Sequence, residues 1–214
     1  MDFEFDVVSA QEYARLKASY EPLTDALRRL IDVGIHTAVD EVTVRQALGH
    51  LAAATDLLEG EQRSATSTLR HADTGRPLAW ANPAVGLRNA IAPPMVIEHR
   101  QDGRCVSEFM LGPAYEGPPG WVHGGICALV LDHILGEVAS DGLTQPRFTG
   151  TISLRYLRGT QLGRIRAEAF VERSDDVKTF ARGFLMDAEG VTVEAEGVFI
   201  TPAWARGAEK TDIG

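Results

Sequence analysis

The chain has 214 residues, enough for one domain with an appendage or for two small domains. Its 44% hydrophobic and 24% charged residues are typical of a soluble globular protein. The net charge of -9 opposes nonspecific attraction to nucleic acid, and no apolar run reaches the roughly 18 residues that span a bilayer. The acidic start, MDFEFD, is unlike a signal peptide, so we expect a cytoplasmic protein without nucleic-acid or membrane partners.

The cysteine content excludes a disulfide framework. Cys105 and Cys127 are the only two cysteines, and their spacing is not that of zinc ligands. We therefore expect two reduced thiols in the core and no metal site.

Residues 1–60 are predicted to form a helical N-terminal segment. Apolar residues recur at spacings of three and four in 13–20 and 23–31, and a capping box at Thr43–Gln46 predicts a second helix that ends at Gly60. This segment carries 11 acidic and 5 basic residues, which argues against a DNA-binding helix pair. We expect a helical cap that packs on the main domain or on a neighbour.

Two segments are expected to lack regular structure. Residues 61–94 are polar and then rich in Gly, Pro and Asn, which predicts a connector that runs as a surface loop. Residues 203–214 are polar and are expected to form a flexible tail.

From residue 95 the hydrophobic pattern changes to a period of two, typical of strands. The predicted strands are 95–100, 104–111, 151–157, 164–172, 177–187 and 191–200. Turn signals at Asp102-Gly103, Asp175-Asp176 and Glu189-Gly190 imply hairpins and hence an antiparallel sheet. A helix that is apolar on all sides lies between the second and third strands and must be buried. The expected fold class is α+β, an antiparallel sheet wrapped around one long helix in residues 95–202.

A stiff Gly/Pro turn, Glu116 to Gly125, leads into this helix, and Asp132 lies in the middle of its apolar run. Burying an ionised Asp without partners costs several kcal/mol, so Asp132 marks a candidate site. The glycines at the helix start leave amide N–H groups unpaired at the positive end of the helix dipole. Such groups can stabilise an oxyanion.

The spacing of Gly125 and Asp132 predicts how such a site is built. The two are seven residues apart on one face of the helix, about 10 Å along its axis. A catalytic group must lie within roughly 3 Å of its target, so one reacting carbonyl cannot contact both residues of one chain. A twofold dimer with composite sites satisfies both. Thr149, at the start of the third strand, has a hydroxyl that can hold a water or orient a carboxylate.

The segment EGPPGWVHGGICALVLD, which ends at Asp132, resembles the active-site segment of hotdog-fold acyl-CoA thioesterases. The similarity is greatest to the PaaI-type group and the related thioesterase-superfamily members. Residues 149–156 resemble the strand that follows the central helix of this family. The resemblance covers about residues 95–202 and implies a hotdog fold that forms a homodimer, or a dimer of dimers, with sheets joined edge to edge.

The resemblance also implies roles for particular residues. The Gly125 amide would polarise the thioester carbonyl, and Asp132 of the partner subunit would act as base or nucleophile. Thr149 would position the water or the carboxylate. Gly117 stands where many relatives have an Asn, six residues before the His.

Four further residues are expected to contact substrate besides Gly117. They are His123 and Gly124 in the turn, and Arg155 and Arg158 among the cationic residues of the C-terminal third that could meet phosphates. His123 is expected to fix the turn rather than to act as a base.

The reaction expected from the resemblance is hydrolysis of an acyl-CoA to a carboxylic acid and CoA, without a metal or redox cofactor. Two alternatives remain open at this point. One is a non-catalytic acyl-CoA-binding module of the same fold. The other is a hotdog enoyl-CoA hydratase or dehydratase, which usually has an Asp and a His several residues apart, whereas Asp132 and His133 are adjacent.

Overall fold

A computed structural model describes residues 4–62, 67–175 and 177–206. The α-helices in these ranges are α1 (Ala10–His36), α2 (Glu41–Glu59) and α3 (Gly124–Ala139), and two 3-10 helices span Pro113–Tyr115 and Ala203–Ala205. The strands are β1 (Glu4–Val8), β2 (Ser67–His71), β3 (Pro77–Leu78), β4 (Glu98–His99), β5 (Cys105–Leu111), β6 (Phe148–Tyr156), β7 (Gly163–Ser174), β8 (Lys178–Asp187) and β9 (Gly190–Ile200).

The main sheet has six strands in the order β4-β5-β7-β8-β9-β6, and every neighbouring pair is antiparallel. It wraps around α3, which contacts the five strands β5 to β9. Val130, Leu131, Ile134 and Leu135 of α3 are fully buried in the main hydrophobic core. The α+β hotdog fold expected from the sequence is confirmed, and β6 forms one edge of the sheet.

Most of the predicted strands have the expected positions. The Asp102-Gly103 hairpin is present, with Gly103 at a φ of 79° and the Asp102 side chain accepting the Arg104 N–H at 3.1 Å. The strand before it is shorter than predicted, because only Glu98 and His99 pair with β5. Asp176, in one of the predicted turns, lies outside the described residues.

Both N-terminal helices are present, but the start of α2 differs from the prediction. Asp40, and not Thr43, caps the helix: its carboxylate accepts the Thr43 N–H at 2.8 Å, and its carbonyl accepts the Val44 N–H at 3.0 Å. Thr43 therefore lies inside the first turn, because an Asp three residues earlier already provides a strong cap.

The predicted connector contains regular structure that the sequence did not reveal. β2 pairs in parallel with β1 and antiparallel with the two-residue β3. This small sheet and α1 enclose a second core of Val8, Leu16, Leu69 and Leu78. Strands this short carry little periodicity, and a parallel partner far away in the chain leaves no local signal.

The two N-terminal helices pack differently against the rest of the chain. α1 packs against the 3-10 helix that precedes the Glu116–Gly125 turn, whereas α2 has no buried residue. Within the described ranges no helix is long and apolar enough to cross a membrane. Most of the tail expected in 203–214 lies outside the described residues, which end at 206.

Candidate active site at the start of the central helix

The first turn of α3 offers one unengaged amide. His123 is the N-cap residue, and its Nδ1 accepts the Gly125 N–H at 3.0 Å. The N–H groups of Ile126 and Cys127 both donate to the His123 carbonyl, at 2.9 and 3.3 Å. The Gly124 N–H has no hydrogen-bond partner among the described residues. The Gly125 N–H, which the sequence singled out, is therefore already bonded to His123, whereas the neighbouring Gly124 N–H is available.

The turn before the helix is closed by short contacts. The Gly117 N–H donates to the Trp121 carbonyl at 2.8 Å, and a Glu116 carboxylate oxygen accepts the Gly120 N–H at 2.7 Å. A Cβ placed on Gly117 would lie 2.9 Å from the His123 Cα, closer than real Cβ contacts. This backbone therefore leaves no room for a side chain at position 117 unless the turn shifts.

Asp132 and Thr149, predicted as partners, are in direct contact. The Thr149 hydroxyl donates to Asp132 Oδ1 at 3.0 Å. Thr149 lies in β6 beside an irregularity in the pairing with β9, between Thr149 and Thr151. The hydrogen bond fixes the orientation of the carboxylate and leaves its second oxygen without a hydrogen-bond partner among the described residues.

Tyr156 is a site residue that the sequence did not predict. Its hydroxyl donates to the Gly124 carbonyl at 2.8 Å, and burial raises the pKa of the phenol. Nothing in the local sequence pattern shows that this strand crosses the helix start. β6 thus contacts both ends of the candidate site, through Tyr156 at Gly124 and Thr149 at Asp132.

The two arginines expected to bind substrate are paired with carboxylates. Arg158 Nη1 lies 2.7 Å from Asp187 Oδ2, and this pairing is the main cause that lowers the pKa of Asp187 to about 2. Arg158 also donates to the Gly190 carbonyl at 3.0 Å, so its contacts tie strands together. Arg155 pairs with Glu194 on β9 but keeps an exposed guanidinium, and its contact with a ligand stays a prediction.

A polar cluster centred on the buried Glu137 lies on a different face of α3. The Glu137 carboxylate, 2% exposed, accepts from Arg76 and lies 2.9 Å from His99 Nε2. Cys105 Sγ lies 3.4 Å from the other ring nitrogen of His99. The arrangement resembles a nucleophile, a base and an orienting acid, but burial raises the pKa of the Cys105 thiol to about 12. Cys105 is also only 1% exposed, so both burial and the raised pKa disfavour a reactive thiolate near neutral pH.

A cavity of about 280 Å³ adjoins this cluster, between α1, the small sheet and α3. Its wall includes Trp80, His133 and Glu137, and it does not include Asp132. Burial lowers the pKa of His133, whose Nε2 is buried without a hydrogen-bond partner among the described residues. His133 therefore lines this cavity and is separate from the Asp132 site.

A helix start with a free amide, an oriented carboxylate two turns later and a wrapping antiparallel sheet define a hotdog protein with a candidate hydrolytic site. Neither a protein-family model nor a curated protein matches the chain. Among solved structures, one described as a thioesterase superfamily protein is 32% identical, covers 85% of this chain and 94% of its own, and has a TM-score of 0.76. The chain belongs to the thioesterase superfamily.

Other solved structures align over half of the chain. A phenylacetic acid degradation-related protein from Ralstonia eutropha JMP134 is 23% identical over 50% of this chain and 84% of its own, with a TM-score of 0.47. A Bacillus halodurans protein crystallised with CoA is 23% identical over 53% and 76%, with a TM-score of 0.48. The 85% coverage of the first structure means that its likeness extends beyond residues 95–202 into the N-terminal half.

Proposed function

We propose that the protein hydrolyses an acyl-CoA thioester to a carboxylic acid and CoA. The observation that carries this proposal is the Asp132 carboxylate of α3, to which the Thr149 hydroxyl donates a hydrogen bond at 3.0 Å. A carboxylate oriented in this way can take a proton from water, which is general base catalysis. Membership of the thioesterase superfamily supports a thioester as the bond that is broken.

In the proposed reaction Asp132 removes a proton from water as the oxygen attacks the thioester carbon. The carbonyl oxygen becomes an oxyanion, which a backbone N–H can stabilise. The C–S bond then breaks and the CoA sulfur leaves as a thiolate. Asp132 passes the proton that it took from water to this thiolate. Direct attack by Asp132 on the same carbon, followed by hydrolysis of the resulting anhydride, uses the same residues.

We assign the oxyanion contact to the Gly124 N–H, because the Gly125 N–H already donates to His123. The Tyr156 hydroxyl donates to the Gly124 carbonyl at 2.8 Å, in the peptide after this N–H, and so helps to hold the first residue of α3 in place. His123 and Gly117 then shape the turn and do not take part in proton transfer.

We propose that each site combines residues of two copies. Gly124 and Asp132 are eight residues apart on one helix, about 12 Å along its axis, too far for one thioester carbonyl. β6, which carries Thr149 and Tyr156, is an edge strand with exposed apolar side chains, among them Phe148. An unpaired edge of this kind can join another sheet. Pairing of β6 with a second β6 would place two copies of α3 side by side.

The first test measures thiol release from a panel of acyl-CoAs. We expect Asp132→Asn to lower kcat at least about 100-fold, the usual scale for loss of a general base. Thr149→Ala should lower kcat by less than Asp132→Asn does. Thr149→Ser should have nearly the wild-type kcat, because serine keeps the hydroxyl. A folded Asp132→Asn variant with near wild-type turnover would contradict the proposal. Tight acyl-CoA binding without thiol release by the wild type would instead indicate a binding module.

The second test removes the Gly124 N–H without removing the helix. Proline is tolerated at the first helical position, where its missing N–H has no intrahelical role, and His123 has the extended backbone that precedes proline readily. We expect Gly124→Pro to lower kcat about 100-fold. Gly124→Ala, which keeps the N–H and meets only ordinary contacts with the Tyr156 ring, is the matched control.

Mixing the two inactive variants tests the composite site. In a mixed dimer of Asp132→Asn and Gly124→Pro, one site combines an intact Asp132 with an intact Gly124. Random exchange makes about half of the dimers mixed, with one working site each, so about a quarter of wild-type activity should return. Sites formed within single chains would give no recovery.

A further inference from the structure

α2 packs little against the rest of the described chain. It spans 19 residues, none of them buried, and Leu48, Leu51 and Leu58 are all exposed. Helices of this length gain most of their stability from packing. Gly49, inside α2, lowers the stability of the helix by about 1 kcal/mol relative to an Ala at that position. An exposed apolar helix of this kind indicates an interaction surface.

Apart from Val42 and Leu57, which lie outside the pattern, five residues of α2 recur at the spacing of a two-stranded coiled coil. They form a stripe, the α2 seam, in which the intervals are four, three, four and three residues. The seam consists of Val44, Leu48, Leu51, Thr55 and Leu58. A seam this narrow fits one further helix rather than a broad surface.

The charges beside the seam select the partner. Arg45 and Glu59 each directly follow a seam residue, and such flanking positions face each other when two copies pair antiparallel. Arg45 of each copy then lies opposite Glu59 of the other, twice by symmetry. In the same register Leu48 packs on Leu58 of the other copy, and Leu51 packs on Thr55. Parallel pairing would leave Arg45 far from Glu59, so a second α2 in antiparallel orientation fits best.

We propose that α2 is a self-association helix that pairs antiparallel with α2 of a second copy of this chain, about a twofold axis near Ala52. The interface is separate from the β6 edge and contains no residue of the Asp132 site. Two independent twofold interfaces on one chain would yield an assembly larger than a dimer. This inference rests on α2 alone and does not depend on the thioesterase reaction.

Cross-linking tests the position of the axis. Ala52 and Ala53 are adjacent and chemically identical, but Ala52 flanks the seam near the axis while Ala53 points away from it. With a short bismaleimide, Ala52→Cys should yield covalent dimers and the Ala53→Cys control should not. The native Cys105 and Cys127 are 1% and 2% exposed, so they should not react in the folded protein. Equal cross-linking of both variants would overturn the proposed pairing.

Charge reversal tests the identity and orientation of the partner. Arg45→Glu places two like-charged pairs in the interface and should raise its dissociation constant about tenfold, measured by sedimentation equilibrium. Arg45→Glu combined with Glu59→Arg should restore assembly, because the reversed charges meet each other only in an antiparallel self-pair. The double variant Leu48→Glu, Leu51→Glu should dissociate the assembly at the α2 interface. The double variant Gln46→Glu, Ala53→Glu, on the outer face of α2, should leave the assembly intact. No rescue by the double reversal would refute the antiparallel pair.

Discussion

Arg158 can be tested for two roles, binding of substrate phosphates and stabilisation of the fold. The sequence suggested a contact with substrate phosphates, whereas the structure pairs Arg158 with Asp187, whose side chain is only 4% exposed. The backbone N–H groups of Gln161 and Glu189 also donate to this carboxylate, at 3.3 and 2.9 Å. We therefore expect substitutions at Arg158 to affect stability and not substrate binding.

The magnitude follows from the pKa of Asp187, which falls from its ordinary value of 3.8 to about 2. A difference of nearly two pKa units corresponds to about 2.5 kcal/mol, and partial solvation of Arg158 reduces this to about 2 kcal/mol. For a domain of this size, about 2 kcal/mol corresponds to a Tm lower by about 4–8 °C. Asp187→Asn should show this loss, whereas Arg158→Gln should lower Tm by less, because the N–H groups of Gln161 and Glu189 still stabilise the carboxylate. The double variant should lose less than the sum of the two.

The pH dependence has a definite sign. A lowered pKa means that the unfolded chain binds the proton more readily than the folded chain. The stabilisation by Asp187 is therefore complete above about pH 4 and is lost as the pH falls toward about 2. Asp187→Asn should lack this component of acid sensitivity when unfolding is followed by circular dichroism.

Kinetics complete the test, because the two roles predict opposite patterns. A structural Arg158 lowers Tm on substitution and leaves the KM for acyl-CoA unchanged in the folded protein. A phosphate-binding Arg158 would raise KM with little change in Tm. Arg155→Gln is the control, since its exposed pair with Glu194 should contribute little to stability. An unchanged Tm in Arg158→Gln would refute the structural assignment.

Two further predictions concern the turn and the thiols. Gly117→Ala should destabilise the protein by about 1–3 kcal/mol, because its Cβ would lie 2.9 Å from the His123 Cα, while Gly34→Ala, with open space around it, should not. Thermal unfolding compares the two, and equal stability would contradict the close contact. Cys105 and Cys127, whose thiol pKa values burial raises, should resist a chromogenic thiol reagent until denaturant is added. Rapid labelling of the native protein would show that these thiols are accessible.

The sequence alone predicted features that depend on local patterns. The buried helix was evident because every side of its first turns is apolar, and β5 and β7 to β9 were evident from period-two alternation. Asp132 stood out because a carboxylate in such a helix needs partners, and its contact with Thr149 was among the roles expected. The need for two copies also followed from helix geometry, although the assembly itself stays a proposal.

The tertiary structure decided which groups are engaged and which are free. Only the folded chain shows that the His123 side chain engages the Gly125 N–H and leaves the Gly124 N–H available. It likewise joins Tyr156 to the helix start and Arg158 to Asp187, contacts between residues about 30 positions apart that depend on strand order and register. Local periodicity determines the elements because each side chain responds to its nearest neighbours. Hydrogen-bond partners depend on how those elements cross, which no local pattern contains.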